Sequence, residues 1–318
     1  MKHLTTLYPK APYRFELMLD ILSRFAHPTL DIVREGAYWR ALHFESGMAL
    51  VRVTSQGTVD SPALDVHLAA QTGEVVTDVL LGAIKAILPL DLDKTRFYET
   101  ARRESALWGL VEPLIGLPQL RTASAFEALM QTVIEQQIAW VAAQKAQHWL
   151  VRWAGNCIEY DGATFYAFPT AEQIARASMD DLIPLKITFK RMALMIALAR
   201  QVVEGQLELE GLGQKTAQAA YGYLLGIKGI GHWTAVVTLE RAFGHLNHVA
   251  HNDVALQAAV NRFFYGGEGR IPAEQLKATF ERYGEFGGIA AHYTLMRWVL
   301  ERYSVNQQNG EKATESSS

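Results

Sequence analysis

The segment that most restricts what this chain can fold into is Leu225-Gly-Ile-Lys-Gly-Ile-Gly-His-Trp-Thr-Ala235. Apolar residues at helical spacing stop at Leu225, glycines follow at 226, 229 and 231, and helical spacing resumes from Trp233. This pattern predicts two helices joined by a tight glycine hairpin. Glycine adopts left-handed backbone angles without steric cost, and its missing Cβ leaves the amides of the turn open to a ligand. The N–H groups of Gly229, Ile230 and Gly231, backed by the N-terminus of the following helix, would then make a site for a phosphate. On these residues alone, a plain helix–turn–helix pair with glycine as a C-cap stands as the alternative.

A phosphate site of that kind needs no net positive charge, and this chain has none. It carries 30 Lys and Arg against 33 Asp and Glu, a net of −3. Residues 1–100 hold 10 basic and 12 acidic side chains, and residues 101–305 hold 19 of each. A protein held to DNA by bulk charge would be basic, so any nucleic-acid reading rests on local geometry. The single cysteine, Cys157, excludes an internal disulfide and a four-cysteine zinc or iron–sulfur site. No apolar run is long enough to span a membrane, and the first residues lack a signal-peptide core, so a cytoplasmic protein without membrane partners is expected.

At 318 residues and roughly 150 per domain, two or three domains are expected. The pattern is α+β: a small N-terminal antiparallel sheet with helices, followed by a mostly helical core in two subdomains. Residues 37–44 and 48–54 are rich in aromatic and β-branched types and flank Glu45-Ser46-Gly47, which predicts a hairpin. Residues 63–69 would extend the sheet, and 78–88 repeat apolar residues at helical spacing. Beyond Glu99 nearly everything is helical. Ser124-x-x-Glu127 has the form of a capping box ahead of one long apolar-periodic stretch, 126–153. Further helices are expected over 171–177, 189–204, 215–225, 231–243, 253–264, 273–283 and 289–303. The implied division is a sheet domain at 1–100, and a connecting segment at 101–120 that packs with the C-terminal subdomain. A hairpin subdomain follows at 121–244, then a C-terminal subdomain at 245–303. The polar end, 304–318, is expected to be a disordered tail.

About 20 residues after the hairpin comes His248-Val-Ala-His-Asn-Asp253, ahead of the apolar pattern Val254, Leu256, Ala258, Ala259. Asp253 at a helix start is first of all an N-cap. A carboxylate there is also suited to face a nucleotide held by the hairpin. His248-x-x-His251 has metal-pair spacing, but no third ligand cluster accompanies it. Lys186, Lys190 and Arg191 are candidates for phosphate contact or for an ordinary solvated helix face.

Hairpin and aspartate together resemble the DNA glycosylase superfamily built on a helix–hairpin–helix. The likeness extends to residues 124–146, similar to the helix such enzymes press against the DNA minor groove, and to 168–209, which leads to the hairpin. Residues 12–22 with the strands behind them resemble the N-terminal sheet domain of the 3-methyladenine DNA glycosylase II branch. The resemblance spans about 10–303. It places the family's catalytic aspartate on Asp253. The Schiff-base lysine of bifunctional relatives falls on Trp233, and no lysine occurs from His232 to Leu246. The monofunctional alkylbase branch is thus implied, with Trp233 and Trp298 against the target base. It also implies DNA contacts by Gln136, by Gln137 as the side chain filling the gap left by a flipped base, and by Lys228, Gly229, Ile230, Gly231 and Thr234. A monovalent cation on the carbonyls of Leu225, Ile227 and Ile230 is part of the same implication. No cofactor is implied, and the partner is double-stranded DNA with damaged bases, met by a monomer with no obligate protein partner. Lys228 departs from the proline common at that place, and two aromatic pocket positions fall on Val237 and Val254.

These residue types suit the reaction. A base inside a duplex must be extruded before it can be removed, at a few kcal/mol. An N-alkylated purine already carries positive charge, so it needs an electron-rich wall and a nearby carboxylate more than a strong acid. A cation over an indole gains roughly 0.5–2 kcal/mol. Two other classes are weighed: a bifunctional oxidised-base glycosylase/lyase using Lys228 or Lys215, and a non-catalytic hairpin DNA-binding protein, in which Asp253 has no task.

Overall fold

The computed structural model describes residues 1–24 and 29–315, with side chains as far as residue 302. The expected tail, 304–318, lies outside the residues whose side chains are described. Two compact units form: Met1–Asp91 together with Pro118–His245, and Leu92–Leu117 together with the chain from Leu246 onward.

The strands are β1 (Lys2–Leu7), β2 (Ile32–Arg34), β3 (Ala37–Phe44), β4 (Gly47–Ser55), β5 (Leu64–Gly73), β6 (Cys157–Tyr160) and β7 (Ala163–Tyr166). The first half of the helices are α1 (Phe15–Ser23), α2 (Thr77–Ile87), α3 (Thr95–Ala101), α4 (Ser105–Val111), α5 (Ala125–Glu135), α6 (Trp140–Ala154) and α7 (Ala171–Arg176). The rest are α8 (Met179–Leu182), α9 (Phe189–Val203), α10 (Ala217–Leu225), α11 (His232–Phe243), α12 (Val254–Tyr265), α13 (Ala273–Glu281) and α14 (Gly287–Glu315). Among the described residues no helix is long and apolar enough to cross a membrane.

In the first unit, β1 to β5 form an antiparallel sheet in the order β1-β5-β4-β3-β2. The predicted hairpin is β3–β4, and both faces of the sheet are covered. Tyr38, Leu42, Val51 and Val53 pack on Phe15 and Met18 of α1 and on Leu80 and Ile84 of α2. Trp39, Ala41 and Leu50, one step out of phase, pack on Ile158 and Phe165 of the β6–β7 hairpin. Two-sided burial explains the continuous apolar run in β3. The β6–β7 pair was not read from the sequence, although its Asp161-Gly162 turn carries the signal: both residues take positive φ, 48° and 72°.

The expectation of one helix across 126–153 does not hold. Two helices, α5 and α6, stand there, separated by residues 136–139. The break starts at Gln136, whose ψ of 122° leaves the helix, and Gln137 follows with a left-handed φ of 54° that cannot resume it. The predicted capping box is also half realised. Ser124 Oγ accepts the Glu127 N–H at 3.0 Å, but the Glu127 carboxylate turns to Arg40 on β3, whose Nη2 donates to both its oxygens at 2.7 and 2.6 Å. Arg40 and Glu127 are each 1% exposed, and Asp31 takes the other arm of the guanidinium at 3.0 Å. A capping box complete in both directions forms instead at the start of α7, between Thr170 and Gln173.

In the second unit, α3 and α4 pack with α12 to α14 around Phe97, Phe280 and Tyr293. The Tyr98 and Tyr293 hydroxyls share a hydrogen bond of 2.9 Å, and the Gly116 N–H donates to Tyr98 at 3.0 Å. Lys94 points inward, donating to the Leu117 carbonyl at 2.5 Å and lying 5.3 Å from the Tyr293 ring centre. Burial lowers its ammonium from 10.5 to about 7.

Glu127→Ala strands the Arg40 charge in the core, so a loss of about 3–5 kcal/mol is expected in urea unfolding, while replacing both partners with apolar residues should restore much of it. Lys94 gives a pH signature. Between about pH 7 and pH 10.5 the unfolded chain binds a proton there that the folded chain does not, so Lys94 makes stability rise with pH across that window. Lys94→Met should flatten the rise, measured as the unfolding midpoint at several pH values; an unchanged pH slope would show that Lys94 stays protonated when folded.

Candidate functional site

In the first unit α10 ends at Leu225 and α11 begins at His232. Between them the Ile227 N–H donates to the Leu224 carbonyl at 3.1 Å and the Ile230 N–H to the Ile227 carbonyl at 3.0 Å, closing a tight hairpin. Ile230 is buried, while Lys228, Gly229 and Gly231 are exposed. Only Gly229 needs glycine's conformational freedom: its φ is 94°, and a Cβ there would sit 3.0 Å from the Leu194 methyls. Gly231 is extended, at φ −96° and ψ −179°, and a Cβ there meets nothing within 4 Å. As N-cap of α11 it brings no side-chain cap, so the positive end of that helix opens on a bare backbone. His232, in the first turn, shares a 2.7 Å hydrogen bond with the Tyr221 hydroxyl.

The end of α5 is tied to this hairpin. Gln136 Nε2 donates to Thr234 Oγ1 at 3.0 Å and to the Gly229 carbonyl at 3.4 Å. Thr234 is itself 3% exposed, so its side chain anchors Gln136 within the unit. Glu135 Oε1 accepts from Arg241 Nη1 of α11 and from Gln147 Nε2 of α6, both at 2.8 Å. Arg191 Nη1 of α9 donates to the Ile134 carbonyl at 3.2 Å. Arg191 is therefore a buried clamp on α5, which removes it from the candidates for surface phosphate contact. Past these three fixed residues the chain turns at Gln137, which is exposed and left-handed. Such conformations in residues other than glycine are uncommon and concentrate at functional sites. Glu135 and Arg241 were missed in the sequence, where nothing distinguishes a buried ion-paired residue from a solvated one.

For the cation expected on Leu225, Ile227 and Ile230, the Ile227 carbonyl spends one lone pair on the Ile230 amide. Among the described backbone bonds of the hairpin, none uses the Leu225 or Ile230 carbonyl. The donor set thus fits a weakly bound monovalent ion.

In the second unit Asp253 caps α12. Its Oδ1 accepts the Ala255 and Leu256 N–H groups, both at 2.9 Å. The approach to it is a tight turn, with His251 N–H on the Val249 carbonyl and Asp253 N–H on the Ala250 carbonyl, each 2.8 Å. Gly288 makes room for the strand of chain before that turn, since a Cβ there would lie 2.0 Å from the Leu246 carbonyl. Trp298 is half-buried, edge-on to Phe263 at 6.3 Å, with the Arg302 guanidinium 5.8 Å from its ring. Val254 is exposed. Trp233 and Val237, on α11 of the first unit, are half-buried. Burial lowers the His248 imidazole below its ordinary value. Among the described residues no group of three or more His, Cys, Asp or Glu could hold a metal ion.

No family model matches the chain. It is similar to the DNA-3-methyladenine glycosylase of Bacillus subtilis, 34% identical over 167 residues that make up 52% of this chain and 55% of that protein. It is also similar to a Mycobacterium tuberculosis protein described as a probable bifunctional transcriptional activator/DNA repair enzyme AlkA, 27% identical over 94% of this chain and 57% of that one. The solved 3-methyladenine DNA-glycosylase from Archaeoglobus fulgidus superposes with a TM-score of 0.76 at 25% identity, over 94% of this chain and 98% of that one. The likeness to the helix–hairpin–helix DNA glycosylase superfamily, and within it to the 3-methyladenine DNA glycosylase II branch, is thus carried by both the named relatives and the solved structure. The chain spans little more than half the length of the two curated relatives, 55% and 57%.

The two hairpin glycines should behave oppositely on substitution. Gly229→Ala forces a side chain into left-handed backbone and should cost about 1–2 kcal/mol or more. Gly231→Asp adds a favourable N-cap in open space and should melt at or slightly above the wild type, as read by calorimetry. A Gly231→Asp variant that melts well below it would mean the hairpin does not have this geometry.

Proposed function

We propose that the protein is a monofunctional DNA glycosylase that removes alkylated bases, 3-methyladenine-like, from double-stranded DNA and leaves an abasic site. One observation carries the reading: an uncapped, exposed hairpin joined by Gln136 to a left-handed, exposed Gln137, in a chain of the alkylbase branch. We place it in the cytoplasm as a monomer acting alone on DNA.

In this reading the amides of Gly229, Ile230 and Gly231 hold a phosphate at the start of α11, and Lys228 adds a charge beside them. A monovalent cation on the Leu225, Ile227 and Ile230 carbonyls supplies further positive charge to that phosphate when bound. Gln137 fills the space vacated by the flipped nucleotide, and Gln136 with Thr234 keeps it in place. Trp233 and Trp298 offer indole faces to the cationic base. The C1′–N bond breaks with its electron pair going to the base, which becomes neutral. Asp253 stabilises the positive sugar and takes a proton from the water that forms the new C1′–O bond. The position of the lyase nucleophile is occupied by Trp233, so no Schiff base forms.

Asp253→Asn keeps the size and the capping capacity of the residue, so folding and binding to abasic-site DNA should persist. Release of 3-methyladenine from alkylated duplex should fall about 10²-fold or more. Borohydride should trap no protein–DNA adduct with either form. Near-normal release by Asp253→Asn, or a trapped wild-type adduct, would overturn this assignment. Gly231→Asp, folded as argued above, should weaken duplex binding because it sets a carboxylate where the phosphate sits.

A further inference from the structure

Helix α6 carries a feature that neither the hairpin nor Asp253 uses. Lys145, His148, Trp149, Arg152 and Trp153 line a shallow groove of about 580 Å³. Their spacing, three and four residues apart, puts them on one face of the helix. Trp149 and Trp153 stack with ring centres 6.2 Å apart and planes 18° from parallel. Both indoles pack partly on the core of the first unit, which holds them rigid. Lys145, one turn before the pair, and Arg152, between the two tryptophans in sequence, are exposed, and no carboxylate lines the groove. In a chain of net charge −3 this is a local excess of positive charge set around an aromatic surface.

We propose that this groove binds a segment of single-stranded nucleic acid, with a base against the indole pair and phosphates at Lys145 and Arg152. A single strand offers a flat ring and an anion in every repeat, the two features the groove presents together. Seven residues of helix separate the two cations, about 10 Å, which matches about three charges of one stacked strand at ~3.4 Å each. An acidic peptide would satisfy the cations and leave the indole faces without a flat partner. The groove lies along α6 beyond the Gln137 loop, and nine residues from Trp140 to Trp149 put it about 14 Å along the helix. The proposal does not depend on base excision, because the ligand needs no lesion and no second strand.

The test uses the whole chain and a fluorescein-labelled oligothymidylate of about 8 nucleotides, read by anisotropy and by tryptophan fluorescence. Binding with quenched tryptophan emission is expected, with Kd of about 10⁻⁴–10⁻⁶ M at moderate salt. Lys145→Glu with Arg152→Glu, both at exposed positions, should weaken it about tenfold or more and make the salt slope shallower by about 1.4. Trp153→Leu should weaken it and reduce the quenching, with circular dichroism checking the fold. Gly231→Asp should leave oligothymidylate binding unchanged, and the double charge variant should leave excision from alkylated duplex unchanged. No quenching up to about 1 mM, unaltered affinity in the double variant, or equal competition by polyglutamate would overturn the proposal. So would loss of excision together with oligothymidylate binding in the double variant, since it would put these residues in the duplex interface.

Discussion

Helix α5 is the element on which the first unit depends, because nearly all of it is inside. Ten of its residues, Ala125 to Met130 and Thr132 to Glu135, are buried. A buried helix must have every polar group matched, including the amides at its start and the carbonyls at its end. The amides of Ala125 and Phe126 are met by the Glu210 carboxylate at 2.9 and 3.2 Å. Glu127 is met by Arg40, Thr132 by its own Ala128 carbonyl, Glu135 by Arg241 and Gln147, and the Ile134 carbonyl by Arg191. Sheet, hairpin helix, α6, α9 and the segment at Glu210 are thus brought to one rod by charge-assisted contacts.

This use of charge bears on function. Arg40, Arg191 and Arg241 are all spent on α5, so they add nothing to an outward field. The even balance of residues 101–305 is consistent with a protein whose grip on phosphate comes from backbone amides at Gly229 to Gly231. The same clamps set Gln137 outside. With the side chains of Glu135 and Gln136 and the Ile134 carbonyl each held, the turn to α6 is taken up in the backbone of Gln136, which is extended, and of Gln137, which is left-handed. The strain of that position is offset by the contacts on either side of it.

Much of this was legible in the sequence. The β3–β4 hairpin, the glycine turn and the start of α12 each depend on local signals, alternation, glycine spacing or a capping side chain, and local signals survive into the fold. The break between α5 and α6 was not legible, because Gln136-Gln137 flanked by apolar residues looks like any helix interior; what breaks it is tertiary clamping. The β6–β7 hairpin had a readable Asp-Gly turn, but its strands are four residues each and lack a strong alternation. Glu127 shows the limit most clearly. Its spacing from Ser124 announces a capping box, yet a buried arginine 87 positions earlier outbids the local partner.

Asp253 brings the two readings of one residue together. Cap and catalyst looked like rivals in the sequence, since a carboxylate bonded to its own helix seemed committed. In the proposed function the two tasks are compatible. Both α12 amides bond Oδ1, so the side chain is held by rigid backbone donors. Those donors and the helix N-terminus behind them hold it in a fixed orientation. A pre-aimed carboxylate is what the proposed reaction through a positively charged sugar requires, and electrostatic stabilisation of this kind is strongest when no reorganisation accompanies the reaction. In the proposed function, capping is then the means by which the fold prepares the group, and the turn at Val249 to Asp253, reached through a stretch that lies against Gly288, is the part of the structure that delivers it.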